Sequence, residues 1–233
     1  MNQSNNEMSS FLAELAGEAT QKMEANRTRQ QDRQAMTHSV NAALERTFKF
    51  FNLFAQHLNA LEPDVPRVYA LDGKTQFSRL KWKSGMAEYR KQSIADNALM
   101  NHVYFQVRLT APEPVTVTRR FEQFDEIKKD LDAYGLKPKE DMHDLWRNRA
   151  QKAIFQVELE PEFIVWMRFL GNYTDGSIEL ESNNLDGFGV MKGKLNPELL
   201  QTPMLDGIGK FLMGRTNALP QELELVRDFS RNR

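Results

Sequence analysis

Residues 40–61, with the sequence VNAALERTFKFFNLFAQHLNAL, place apolar side chains at alternating intervals of four and three positions. This spacing predicts a helix that buries one face, and it matches a coiled-coil seam for three repeats. Proline cannot continue a helix, so Pro63 and Pro66 end the pattern. We therefore predict an aromatic amphipathic helix within residues 36–65. The seam consists of Val40, Leu44, Thr47, Phe51, Phe54, Leu58 and Leu61.

The rings of this helix require an apolar surface to cover them. One hypothesis is self-association, as a dimer or a higher oligomer, or contact with another protein, because the spacing is that of a dimer seam. The other is a helix buried in its own domain, because Phe48 and Phe50 widen the apolar arc beyond a two-stranded seam. The polar face lacks the excess of lysine and arginine that binds anionic lipid, so no membrane partner is expected. The candidate partner-binding residues are Leu44, Phe48, Phe51, Phe54 and Leu58.

Residues 1–35 read as a polar N-terminal extension that is partly disordered or helical. Within it, Phe11, Leu12, Leu15, Ala19 and Met23 fall on one helical face. Residues 24–34 contain almost nothing apolar, but they also contain no glycine or proline. We expect a continuous or frayed helix there rather than a flexible linker.

Beyond Pro66 the pattern changes from helical to β. Asp72-Gly73 between two β-rich runs predicts a hairpin, since both turn residues tolerate positive φ. Residues 86–100, MAEYRKQSIADNALM, are predicted to be helical in part. Alternating apolar residues then predict two strands within residues 102–121, and four more within residues 153–195. Helices are predicted from Phe121 to Tyr134, ending at Gly135, and through residues 141–151.

The pattern as a whole indicates an α+β fold. Antiparallel β-hairpins alternate with packed helices, and a long N-terminal amphipathic helix precedes them. We assign the α+β domain to residues 66–215 and a C-terminal helix or tail to residues 216–233, in which Leu223, Val226 and Phe229 have helical spacing.

The composition excludes several classes of protein. The chain has no cysteine, which rules out disulfides and thiolate chemistry and suits a reducing compartment. It has neither a signal-peptide pattern nor an apolar run of membrane-spanning length. We therefore expect a cytoplasmic protein of bacterial type.

Catalytic patterns are weak throughout the chain. Its four histidines show no zinc-helix spacing, and no phosphate-binding glycine loop is present, so no cofactor, metal site or catalytic residue is assigned. Asp64 followed by Asp72 and Lys74 resembles a metal-dependent nuclease pattern only loosely, and this is retained as a second alternative.

The first alternative is an accessory protein that binds nucleic acid. Strand alternation through FSRLKWKSG would place three cations on one face, where they could follow a phosphate backbone. The candidate residues are Arg79, Lys81, Lys83, Arg119 and Arg120. The leading interpretation remains a non-catalytic protein-interaction or adaptor protein that self-associates through the aromatic helix.

Overall fold

The computed structural model describes residues 10–95, 97–147 and 153–228. It shows the α+β class, with a long N-terminal helix, a curled antiparallel sheet and several short helices. The helices are α1 (Ser10–Leu61), α2 (Phe124–Tyr134), α3 (Met142–Arg147) and α4 (Thr202–Leu212), with 3₁₀ turns at Phe121–Gln123 and Pro197–Leu199. The strands are β1 (Asp64–Val65), β2 (Tyr69–Ala70), β3 (Gln76–Phe77), β4 (Leu80–Lys91), β5 (Met100–Thr110), β6 (Val115–Arg120), β7 (Ile154–Leu159), β8 (Glu162–Asn172), β9 (Ser177–Asn183), β10 (Val190–Leu195) and β11 (Val226–Asp228).

The main sheet has seven strands in the order β1-β4-β5-β8-β9-β10-β11, all antiparallel. Two short pairs, β2–β3 and β6–β7, stand apart from it. On β5, Val103, Phe105, Val107 and Leu109 alternate with less buried residues, so one face of the strand lies in the core. This confirms the predicted period of two, which buries one face of a strand.

Helix α2 follows its sequence signals closely. Phe124, Ile127 and Leu131 are buried, and Gly135 ends the helix at φ 68°. The N–H of Leu136 then bonds the carbonyl of Leu131 at 2.8 Å. This six-to-one bond is that of a Schellman cap, and it satisfies a carbonyl that the helix end would leave exposed.

The prediction of helix within residues 86–100 is wrong for residues 86–91, which form a strand. They belong to β4, which pairs with β5 from Lys81↔Thr110 to Lys91↔Met100. Methionine, alanine, glutamate and arginine have a high intrinsic helix propensity. Pairing with β5, a central strand of the main sheet, outweighs that propensity. Residues 92–95 and 97–99 form the turn that leads into β5.

The C-terminal helix prediction is also corrected. The chain around Pro220 forms turns, Leu223 is buried, and residues 226–228 form the edge strand β11 beside β10. Backbone bonds to β10 replace those of a helix, so Leu223 and Val226 do not share a helical face. Phe229 lies outside the described residues. The part of the chain that the structure describes has no helix long and apolar enough to span a bilayer.

Candidate functional site

The aromatic face of α1 lies on one face of the main sheet, against β4, β5 and β8. Phe51 is fully buried, with its ring stacked on Phe105 at 4.5 Å between centroids and 5.8 Å from the ring of Phe169. Phe54 meets Trp82 edge to face at 5.9 Å, and Phe48 meets Tyr89 at 4.7 Å. Such aromatic pairs add stability beyond the area they bury. The helix therefore supplies one wall of the hydrophobic core.

This placement puts the candidate partner-binding residues within the hydrophobic core of the described structure. Leu44 and Phe51 have no exposed surface, and Leu58 is buried as well. Phe48 and Phe54 are half-buried and pack against the same core. The side chains that were candidates for binding a partner are covered by the chain's own sheet, so the wide apolar arc reflects burial within the domain.

The N-terminal half of α1 is exposed instead. We call residues 11–35 the N-terminal arm. Every residue of the arm is exposed, whereas burial begins beyond residue 35. At about 1.5 Å per residue the arm is about 38 Å long. Its large apolar side chains are open to solvent, with exposed fractions of 64% for Phe11, 42% for Leu15 and 66% for Met23. These residues were recognised as one helical face, but only the structure shows that the described domain leaves them uncovered.

The predicted basic stripe is not a regular strand face. Arg79 precedes β4 and has a φ of 52°, and the register of β4 against β5 shifts between Trp82 and Ser84, at Lys83. Each cation also lies beside a carboxylate. Arg79 is 3.8 Å from Glu113, Lys81 is 3.9 Å from Asp64, and Lys83 contacts Glu162. These carboxylates lower the positive potential that a phosphate backbone would meet.

Arg119 and Arg120 lie elsewhere, on β6 of a separate two-stranded sheet. Arg119 forms an ion pair with Asp72, while Arg120 is exposed. With Lys74 and Gln123 they line an open cavity of about 550 Å³. The five candidate residues thus lie on or beside two different sheets, and nucleic-acid binding stays a prediction.

The carboxylates of the nuclease alternative have other partners. Asp72 accepts hydrogen bonds from the backbone N–H groups of Lys74 and Thr75 at 2.6 and 2.7 Å, so it stabilises the β2–β3 turn. Asp64 is exposed on β1 and pairs with Lys81. Among residues 10–95, 97–147 and 153–228, no group of three histidine, aspartate or glutamate residues could hold a metal ion.

Tyr69 is a fully buried acid with a perturbed pKa. Burial raises its pKa from 10.0 to about 12, and Arg67 opposes that shift. Its ring packs on Phe163 at 4.7 Å and on Phe188 at 5.6 Å. The burial of these rings explains the preference for the neutral phenol. Tyr69 is therefore a feature of the core.

Tyr69 should make the fold sensitive to alkali. The folded state holds the phenol proton more tightly than the unfolded state, so its contribution to stability is complete below pH 10 and is lost as pH rises through about 12. The loss should be about 2–3 kcal/mol. Urea unfolding of wild type and Tyr69→Phe between pH 9 and 12 measures this loss. The difference in unfolding free energy between the two proteins should change with pH. Parallel pH profiles would contradict the assignment.

Comparison with known proteins does not assign the chain to a family. No family model, curated protein or solved structure matches this chain. The function must therefore be argued from the surfaces that the structure exposes.

Proposed function

We propose that this is a non-catalytic protein-interaction protein that self-associates through its N-terminal arm. One observation carries the proposal: the arm is a continuous helix whose residues are all exposed, yet Phe11, Leu15 and Met23 are large and apolar. Most helical stability in proteins comes from packing an apolar face. A second copy would supply that packing.

The energy available from the arm supports association. Full burial of a phenylalanine, leucine or methionine side chain contributes roughly 1.5–3 kcal/mol. Phe11, Leu15 and Met23 each keep about half of their surface available for such burial. Association also has to overcome lost translational and side-chain freedom, so the expected contact is reversible and depends on concentration.

An antiparallel arrangement fits the residues of the arm. The face that carries Met23 continues, at intervals of three and four residues, through Asn26, Gln30 and Arg33. A parallel pair in register would place Arg33 of one copy opposite Arg33 of the other, and would bury two amides in the seam. An antiparallel pair can overlap only the apolar tips, leaving these polar residues in solvent. We therefore propose that the tips, residues 11–23, cross in opposite directions.

The Met23→Asp variant tests the arm. A charge in the seam should weaken association at least tenfold, because an aspartate would lose hydration without gaining a partner. Light scattering after size-exclusion chromatography, over a range of protein concentrations, should give a lower mass for Met23→Asp than for wild type.

The matched control is Gln21→Asp, which adds the same charge two residues away on the opposite side of the helix. It should keep the wild-type mass, and circular dichroism should show equal helix content in both variants. Equal masses for wild type and Met23→Asp at every concentration would overturn the proposal.

A cytoplasmic location is part of the same proposal. The chain has no cysteine, so its stability does not depend on disulfides and is compatible with a reducing compartment. The core formed by α1, α4 and the main sheet supports the domain by packing alone.

A further inference from the structure

The open cavity of about 550 Å³ lies where the β2–β3 turn meets strands β6 and β7. Its volume falls within the range of small-molecule sites, about 300–1,000 Å³. The turn and the two strands, with the 3₁₀ turn that follows β6, supply its lining. The lining residues are Asp72, Gly73, Lys74, Thr118, Arg119, Arg120, Gln123 and Ile154.

Positive charge dominates this lining. Among the described residues that form it, Lys74, Arg119 and Arg120 carry three positive charges and Asp72 carries one negative charge, which leaves a net charge of +2. A cavity lined in this way favours an anion, and a doubly charged anion would neutralise it.

Asp72 directs its negative charge toward groups of the protein itself. Its carboxylate accepts the backbone N–H groups of Lys74 and Thr75 and forms an ion pair with Arg119. Arg119 also donates from Nη1 to the Thr118 carbonyl at 2.6 Å, and only 15% of its side chain is exposed. A guanidinium has five N–H donors, so these contacts hold Arg119 in place and leave donors for a ligand.

Lys74 and Arg120 are exposed cations without a competing carboxylate. Within residues 10–95, 97–147 and 153–228, neither of them has an ion-pair partner. They differ in this from Arg79, Lys81 and Lys83 of the predicted basic stripe, each of which lies beside a carboxylate. The positive potential of the cavity is therefore not offset at these two side chains.

We propose that this cavity binds a small molecule through a phosphate monoester group. A phosphate monoester carries a charge of about −1.5 to −2 at pH 7 and three strong acceptor oxygens, which matches the net charge of the cavity. Arginine can bind two phosphate oxygens at once, and lysine binds phosphate as a point charge. The proposal goes beyond self-association and is independent of the N-terminal arm, because other elements form the cavity.

The remaining lining suits the body of such a ligand. Ile154 is 53% exposed and provides an apolar wall, while Thr118 and Gln123 provide a hydroxyl and an amide. Small-molecule sites combine apolar surface with a few polar groups in this way. A nucleic-acid strand carries a single negative charge per phosphate, so one phosphodiester would neutralise only half of the cavity's charge. A small monoester is therefore the better match.

Calorimetric titration of the full chain tests the proposal, with inorganic phosphate and adenosine 5′-monophosphate as the probes. Both should bind, and adenosine 3′,5′-cyclic monophosphate, a diester, should bind at least tenfold more weakly than the monoester. Arg120→Gln and Lys74→Gln should each weaken binding of the monoester at least tenfold, because each removes a charge-assisted contact to phosphate.

The matched control is Arg215→Gln, which removes an exposed cation outside the cavity lining and should leave the affinity unchanged. Because neither Lys74 nor Arg120 has an ion-pair partner in the described chain, urea unfolding should give the wild-type free energy for both cavity variants. Their loss of binding would then not come from a loss of structure.

Two results would overturn the monoester site. One is the absence of saturable binding of both probes up to about 10 mM, or equal affinities for wild type and Arg120→Gln. The other is tighter binding of a fluorescent single-stranded oligonucleotide that weakens steeply with salt, which would assign these cations to nucleic acid instead. Failure of the arm proposal has a different signature, namely equal masses for wild type and Met23→Asp.

Discussion

Replacing Phe51 with alanine should lower the free energy of unfolding by about 3–5 kcal/mol. The side chain is fully buried between the rings of Phe105 and Phe169, and its removal leaves a cavity that the rigid sheet cannot close. The loss is a large share of the stability of an ordinary domain, which is about 5–15 kcal/mol. Phe51→Ala should therefore shift the midpoint of urea unfolding far below that of wild type.

The matched control is Leu53→Ala, two residues away on the exposed side of the same helix. Leu53 is 53% exposed, so its truncation should change stability by no more than about 0.5 kcal/mol. Urea unfolding, monitored by circular dichroism and by tryptophan fluorescence, gives the change in unfolding free energy for both variants. If Phe51→Ala instead lowered the oligomer mass and left the unfolding free energy unchanged, Phe51 would belong to an interface and not to the core.

The spacing of residues 40–61 was enough to predict the helix and its buried side. It could not show what covers that side, because a seam between two copies and a helix on a sheet require the same apolar intervals. Phe105 and Phe169, whose rings pack on Phe51, are more than fifty positions away in sequence. Local patterns identify the buried face of an element more readily than its partner.

In strand β4, by contrast, the intrinsic propensity of the residues predicted a helix where the structure has a strand. Residues 86–91 contain good helix formers, yet β5 pairs with them throughout. The alternation of Ala87 and Tyr89 with Glu88 and Arg90 was the available strand signal. Because this segment was assigned to a helix, its pairing with β5 was not foreseen. The irregular register at Lys83 likewise broke the basic stripe that simple alternation predicted.

The Asn184→Asp substitution should destabilise the fold by about 3–5 kcal/mol near neutral pH, because it replaces a buried amide donor with a carboxylate. Asn184 is fully buried and has a φ of 61°, a conformation that asparagine tolerates better than most residues. Its Nδ2 donates to the carbonyls of Tyr134 and Ile164 at 2.8 and 2.9 Å, and its Oδ1 accepts the N–H of Gly189 at 3.1 Å. One side chain thus joins the end of α2, strand β8 and the turn before β10.

An aspartate at this position would turn an oxygen toward two carbonyl oxygens and remove the amide donor that both accept. Burial and these acceptors favour its protonated form, so its folded-state pKa should rise above the unfolded value of about 3.9. Stability should therefore be greatest in acid and fall as pH increases from about 4 to 7, which urea unfolding at several pH values will measure. Asn196→Asp is the control, because exposed Asn196 only accepts the N–H of Glu198 and an aspartate can do the same. Equal, pH-independent losses in the two variants would show that Asn184 does not join these elements.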